Sequence, residues 1–387
     1  MKFIPYGRQS INKDDKKSVL KALESNLITT GSHVTKFEKK SKKYFGSKYS
    51  LACSSATAGL HLAFLSIDVK KNDNIIIPAI NFIASYNMLS LLGANIYLCD
   101  VDSDTGQMSP KLILQCIKLN KLKKIKAIVT MYLGGYPLNI VKFHKIKSRY
   151  KCFLIEDACH ALGAKYKVSN KFYKIGSCKH SDIAVFSLHP VKTITAGEGG
   201  IICTNNQNIN KKILLLRSHG IQRTKKHWIY DIKFCGYNYR LSDISCALAT
   251  SQLSRIHDFV LKRAKIYNYY KKKLIDSQKE VSIINFNEKI SPSYHLLIAF
   301  FNFKKMKINK DFLIRLLLEK KIIVQQHYIP IFKFEKILNR KIDIKNFKGT
   351  ISYYDNAISL PIYYDLSRKK IDYIVKIIKD IMHKHGH

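Results

Sequence analysis

The chain has 387 residues, 46% of them apolar and 24% charged, with 17 glycines and 8 prolines. That composition supports a sizeable core without staples and excludes a fibrous or largely disordered chain. The unusual figure is charge, with 67 Lys and Arg against 27 Asp and Glu, a net +40. The basic residues run through the whole chain, and no helix-turn-helix, zinc-finger or RNA-binding aromatic signature accompanies them. A solvated basic surface that attracts polyanions weakly is therefore expected, with no specific nucleic-acid partner. A basic, non-catalytic nucleic-acid-binding protein is the rival reading from a different class.

Nine cysteines, an odd number without a CxxC pair, argue against a disulfide framework or a zinc site, so no metal is expected. Most sit in apolar or small-residue contexts, which fits a reducing cytoplasm. The opening MKFIPYGRQSINKDDKK lacks the apolar core of a signal peptide. Residues 74–99 carry no charge, yet Pro78, Asn81, Ser85, Asn87, Gly93 and Asn95 interrupt them. They read as strand, loop, helix and strand, not as a membrane span.

Helical spacing with Asn12 as N-cap predicts a helix over 13–24, and a second follows over 34–45. Short apolar runs then alternate with helical patterns. Strands are expected over 49–53, 74–78, 95–101 and 127–132, and helices over 56–65, 83–92, 110–117 and 140–148. Further strands are expected over 153–157, 183–187 and 200–204. Continuous apolar runs such as CFLIED and DIAVFS predict strands covered on both faces, hence an α/β fold with a mostly parallel sheet. After about residue 253 the pattern changes to a polar helix (255–274), strands (294–303, 323–328) and helices (310–320, 367–383). The chain thus divides into a large domain, 1–253, and a smaller C-terminal α+β domain, 254–387. The His-rich tail HKHGH reads as a frayed end.

The most informative stretch is DIAVFSLHPVKTITAGEGGIICT, residues 182–204. A strand ending in Ser187 runs into a turn holding Lys192, and Gly197-Glu198-Gly199-Gly200 leads into the next strand. Strand-end loops of α/β sheets are where active sites gather. A lysine placed there can lose its proton and form a Schiff base; an exposed loop lysine is the alternative. In FLIEDACHALGA, Asp157 ends an apolar strand. It either caps the following helix or pairs with a protonated pyridine nitrogen. A Schiff-base lysine with such an aspartate is the minimal kit for pyridoxal phosphate. In CSSATAGLHLA, Ser55 and Thr57 lie at a helix start whose N–H groups can cradle a phosphate. Phe82 can stack on a flat ring or belong to the core.

These segments resemble the DegT/StrS sugar aminotransferases, with the fold-type I pyridoxal-phosphate architecture. The resemblance spans essentially the whole chain and rests on LITTG (27–31), CSSATAGL, IPAINFIAS, IEDACHALGA, FSLHPVKTITAGEGG, LRSHGI (216–221), GYNYRLSDISCALATSQL (236–253) and HYIPIF (327–332). It implies that Lys192 carries the cofactor and shuttles the proton. Asp157 would bind the pyridine nitrogen, Phe82 would stack on the ring, and His160 would lie on its hydroxyl side. Ser55, the Ala56 backbone, Thr57 and Ser187 would hold the phosphate. Asn238 would reach the phosphate of a neighbouring subunit's cofactor, making a homodimer with shared active sites. Within the family the motifs lean toward the members of pseudaminic acid synthesis. Those move the amino group of L-glutamate to C4 of a UDP-linked 4-keto-6-deoxy-N-acetylhexosamine. Bacillosamine- or perosamine-type ketosugars are the alternatives. Arg223, Lys225 and Lys226 would receive the diphosphate, and His327 would line the sugar pocket.

Overall fold

The computed structural model describes residues 2–226, 228–275, 280–338 and 342–385; the last two residues of the HKHGH tail lie outside them. The strands are β1 (Tyr49–Cys53), β2 (Asn74–Pro78), β3 (Asn95–Cys99), β4 (Ala127–Met131), β5 (Phe153–Asp157), β6 (Lys165–Val168), β7 (Lys171–Lys174), β8 (Ile183–Ser187), β9 (Gly200–Thr204), β10 (Ile221–Arg223), β11 (Tyr230–Ile232), β12 (Val281–Ile283), β13 (Ile290–Ser291), β14 (Leu297–Phe301) and β15 (Ala357–Leu360). The helices are α1 (Lys13–Leu23), α2 (Ser32–Phe45), α3 (Ala56–Ser66), α4 (Ala84–Leu91), α5 (Pro110–Leu119), α6 (Ile140–Tyr150), α7 (Gln207–Leu216), α8 (Asp243–Ser254), α9 (Ile256–Lys273), α10 (Phe303–Met306), α11 (Lys310–Glu319), α12 (Lys348–Asn356) and α13 (Arg368–His385).

Seven strands form one sheet in the order β1-β9-β8-β5-β4-β2-β3. Only β9 runs against its neighbours; the other pairings between β8, β5, β4, β2 and β3 are parallel. The apolar runs fit this sheet because both of its faces are covered. Ile75 and Ile77 pack on the side of α3, α4 and α7, while Ile76 faces α5 and α6. The strand ends expected for 49–53, 74–78, 153–157, 183–187 and 200–204 match the observed ones residue for residue.

The C-terminal part builds an antiparallel sheet, β12-β14-β15, joined by α9, α11 and α13 to the core beside α5 and α6. Residues 323–328 do not form the strand expected for them. Gln325 alone makes a bridge, to Ser359, and the stretch instead lines the active-site cleft. Among the described residues, no helix is long and apolar enough to cross a membrane, and no cluster of three or more His, Cys, Asp or Glu could hold a metal.

Candidate active site

The C-terminal ends of β1, β5 and β8 open onto a cleft of about 610 Å³. Strand β1 delivers the start of α3. Ser55 caps that helix, its Oγ accepting the Ala58 N–H at 3.1 Å. The first N–H groups of a helix have no intrahelical acceptor, so those of Ala56 and Thr57 are available to an anion. The cup is closed from below by β9. A Cβ on Gly200 would stand 2.7 Å from the Ser55 carbonyl oxygen and 2.8 Å from Cys53 Sγ, so glycine is the residue that lets the strand approach.

Strand β5 ends in Asp157, which is buried. The Cys159 N–H donates to one carboxylate oxygen at 3.3 Å, and Ser85 Oγ lies 3.5 Å from the other. Burial raises the carboxyl's pKa, and Cys159, Lys192 and Asn81 hold the rise back. Lys192 follows β8 and faces the same cleft; its main-chain N–H is tied to the His189 carbonyl at 2.9 Å. Burial lowers the ammonium's pKa, partly offset by Cys159 and Asp157. A lysine that can give up its proton beside a buried carboxylate is the donor set that pyridoxal phosphate requires. The half-exposed Phe82 ring over the cleft and the open helix start supply the stacking face and the anion cup, so the residues fit the group.

His160 is buried and lines the same cleft, and its tautomer follows from its partners. The Gly134 N–H donates to Nδ1 at 3.3 Å, so the ring proton is on Nε2, which meets Tyr328 Oη at 2.9 Å. The Tyr328 hydroxyl, accepting that proton, keeps its own for the cleft, where its ring stands 5.8 Å from that of Phe82. His295 stacks 4.3 Å from His160. His327 bonds through Nδ1 to Ser359 Oγ at 2.8 Å. Burial first, then the Lys192 charge, keeps all three imidazoles neutral; His327 is pushed down to about 3. Glycine is needed here too. Gly135 has φ +89°, and a Cβ there would lie 2.1 Å from Ser293 Oγ.

Ser55, Ala56, Thr57, Phe82, Asp157, His160, Ser187, Lys192 and His327 therefore line one cleft. Asn238 and Arg223 do not. Asn238 is exposed, between Tyr237 and Tyr239, whose rings stack 4.9 Å apart beside His61 of α3. Arg223 is exposed on the β10-β11 hairpin, and Lys225 and Lys226 follow it toward the tip. The sequence reading missed Tyr6, His295 and Tyr328. Tyr328 lies within HYIPIF and so had a signal; His295 stands alone before an apolar run and had none.

The DegT/DnrJ/EryC1/StrS aminotransferase family model matches residues 9–379. The chain belongs to this family. It is 33% identical over 383 residues to the UDP-4-amino-4,6-dideoxy-N-acetyl-beta-L-altrosamine transaminase of Campylobacter jejuni subsp. jejuni serotype O:23/36 (strain 81-176), covering 98% of each chain. Among solved structures it resembles Helicobacter pylori PseC, an aminotransferase involved in the biosynthesis of pseudoaminic acid. The TM-score is 0.90 and the identity 26%, over 99% of this chain and 100% of that one. It also resembles Spr1654 of Streptococcus pneumoniae, assigned as a sugar aminotransferase and solved in its PLP form. Here the TM-score is 0.89 and the identity 26%, over 99% of both chains. The protein is thus a pyridoxal-phosphate-dependent sugar aminotransferase of the fold-type I architecture, with the mostly parallel sheet its apolar runs predict.

Proposed function

We propose that this aminotransferase moves the amino group of L-glutamate to C4 of a UDP-linked 4-keto-6-deoxy-N-acetylhexosamine, as in pseudaminic acid synthesis. The observation that carries the substrate is the full-length likeness to the Campylobacter transaminase. Bound pyridoxal phosphate supplies the electron sink and carries the amino group between the two substrates. Lys192 Nζ holds and returns the proton that moves in each half-reaction, and burial keeps it within reach of its neutral form. Asp157 meets the protonated ring nitrogen. Ser55, Ala56, Thr57 and Ser187 hold the phosphate, Phe82 covers the ring, and His160 orients Tyr328 on the opposite side.

Lys192 is the only Lys or Arg among the described residues of the cleft lining, whereas both substrates are anionic. Charge must come from elsewhere, and a second copy of the chain is the source this reading names. The β10-β11 hairpin and its flank expose Trp228, Tyr230, Ile232 and Phe234 beside Arg223, Lys225 and Lys226. Exposed apolar side chains gathered on one short hairpin mark a protein-contact surface. Docked across a homodimer, this hairpin brings cations to the diphosphate and Asn238 to the partner's cofactor phosphate.

The test is an amination assay with glutamate and two UDP-linked 4-keto-6-deoxy-N-acetyl sugars, the L-arabino and D-xylo epimers, with products identified by NMR. Selective amination of the L-arabino compound is expected. Preference for the D-xylo compound moves the protein to a bacillosamine-type route. Reaction of neither refutes the substrate.

A further inference from the structure

Helix α3 carries the phosphate cup at its first turn and, further along, one titratable side chain. That side chain is His61, fully buried within ATAGLHLAFLS. Burial lowers the imidazole's pKa and keeps the ring neutral. Nδ1 meets Tyr239 Oη at 3.1 Å, and Nε2 has no hydrogen-bond partner among the described residues. A buried polar atom without a partner costs stability. A hydrocarbon would serve the packing of α3 better, so the core does not explain the histidine.

Its contacts do. The His61 ring lies 4.9 Å from that of Tyr237 and 5.9 Å from that of Tyr239. Those two rings stack almost parallel, with 8° between their planes. The backbone that carries them is extended and pinned. The Tyr237 N–H donates to the Leu216 carbonyl at 2.7 Å, the Tyr239 N–H to the Arg217 carbonyl at 3.0 Å, and Asn238 bridges to Ser218. Side chains alternate along an extended segment. With Tyr237 and Tyr239 turned onto α3, Asn238 stands on the outer side, where it is exposed. The Ser54 N–H, just before α3, donates to the Tyr239 carbonyl at 2.8 Å. One helix therefore holds its own phosphate cup at its start and, through His61 and two stacked tyrosines, fixes the direction of Asn238.

We infer that His61 is a positioning residue that aims Asn238 and so acts on the cofactor site of the partner subunit, not on its own. The inference rests on the shared-site homodimer proposed above. The experiment titrates pyridoxal phosphate into dimers mixed from differently tagged chains and follows the visible absorption of lysine-bound cofactor. A chain with Lys192→Ala is silent in that absorption, so each mixed dimer reports one site. In the first dimer a Lys192→Ala/His61→Phe chain is paired with a wild-type chain. The reporting site then has an unaltered cup and meets Asn238 of the altered chain. Its Kd should rise about fivefold over that of the Lys192→Ala/wild-type dimer, the effect of one net hydrogen bond. In the second dimer a Lys192→Ala chain is paired with a His61→Phe chain. The altered residue now sits beneath the reporting cup while native His61 aims Asn238, and Kd should not change. Tyr239→Phe removes the same bond from its other side and replaces His61→Phe in both dimers if that variant folds poorly by thermal melting. A packing fault in α3 acts within its own chain, so an unchanged Kd in the first dimer, or a raised one in the second, overturns the inference. Asn238→Ala in place of His61→Phe in the first dimer tests the underlying reading. If it leaves Kd unchanged, the shared site falls and His61 with it; if it raises Kd and His61→Phe does not, the His61 assignment alone falls.

Discussion

Next to Asp157, but on the other face of β5, Glu156 is buried, with no cation partner among the described residues. Tyr132 Oη donates to its Oε1 at 2.8 Å, and Oε2 has no hydrogen-bond partner among the described residues. Burial pushes its pKa up to about 7 from an ordinary 4.5, with Tyr132, Ser181 and the Gly176 N–H limiting the rise. The folded state therefore holds this proton more tightly than the unfolded chain. Below pH 4.5 both states are protonated and nothing is lost. Between 4.5 and 7 the unfolded chain releases its proton first, so stability falls as pH rises; above 7 the loss is complete. At roughly 1.4 kcal/mol per pH unit, the full loss is at most about 3.5 kcal/mol. Glu156→Gln keeps the acceptor for Tyr132 and removes the ionisation. Urea unfolding of both proteins from pH 5 to 8 should give curves that diverge as pH rises, the variant gaining up to about 3.5 kcal/mol on the wild type. The buried histidines act with the opposite sign. They depress stability as pH falls below 6.5, and they cancel in the difference between the two proteins because both contain them. Parallel curves would refute the reasoning.

Other outcomes follow from the site. Lys192→Ala should abolish turnover and the visible absorption of lysine-bound cofactor; turnover in a clean preparation of the variant would remove Lys192 from the mechanism. Gly200→Ala forces a methyl into the Ser55 carbonyl, 2.7 Å away, and should weaken pyridoxal-phosphate binding by at least about tenfold while costing about 1–3 kcal/mol of stability. Cofactor titration and denaturant melts read both effects. If sites are shared across a homodimer, mixing inactive Lys192→Ala with impaired Asn238→Ala chains should restore about a quarter of wild-type sites, since random pairing makes half the dimers mixed and each has one intact site. Activity no greater than the sum of the separate variants would count against a shared site.

The sheet was legible because its strands are covered on both faces. IAVFS and GIICT are uninterrupted apolar runs, bounded by Asp182 and Ser187 and by Gly200 and Thr204, so composition alone marks their ends. The lysine-rich hairpin KYKV and KFYK was not, because an exposed ribbon in a basic chain looks like a solvated loop. Residues 323–328 read as a strand from Ile323, Val324 and Tyr328. Pairing is limited there because Gln326, His327 and Tyr328 turn their side chains to the cleft. The cofactor lysine, its aspartate and the phosphate cup each sit at a strand end within a short motif, and were legible for that reason. His295 and Tyr6 were not, because each reaches the cleft from a distant part of the chain and no spacing between them is fixed until the C-terminal sheet docks.

Because β9 runs against its neighbours, residues 188–199 return to the same end of the sheet without a crossover helix. The lysine loop is therefore closed locally, at small cost in chain entropy. The phosphate cup has the opposite origin, since β1 enters the sheet only by pairing with β9 from far upstream in sequence. The two sides of the cofactor site are thus joined by a short loop closure and by a long one. A molecule gripped by both acts as a staple across that long closure. Its concentration sets how firmly the edge strand is held, so melting temperature should rise with added cofactor by mass action.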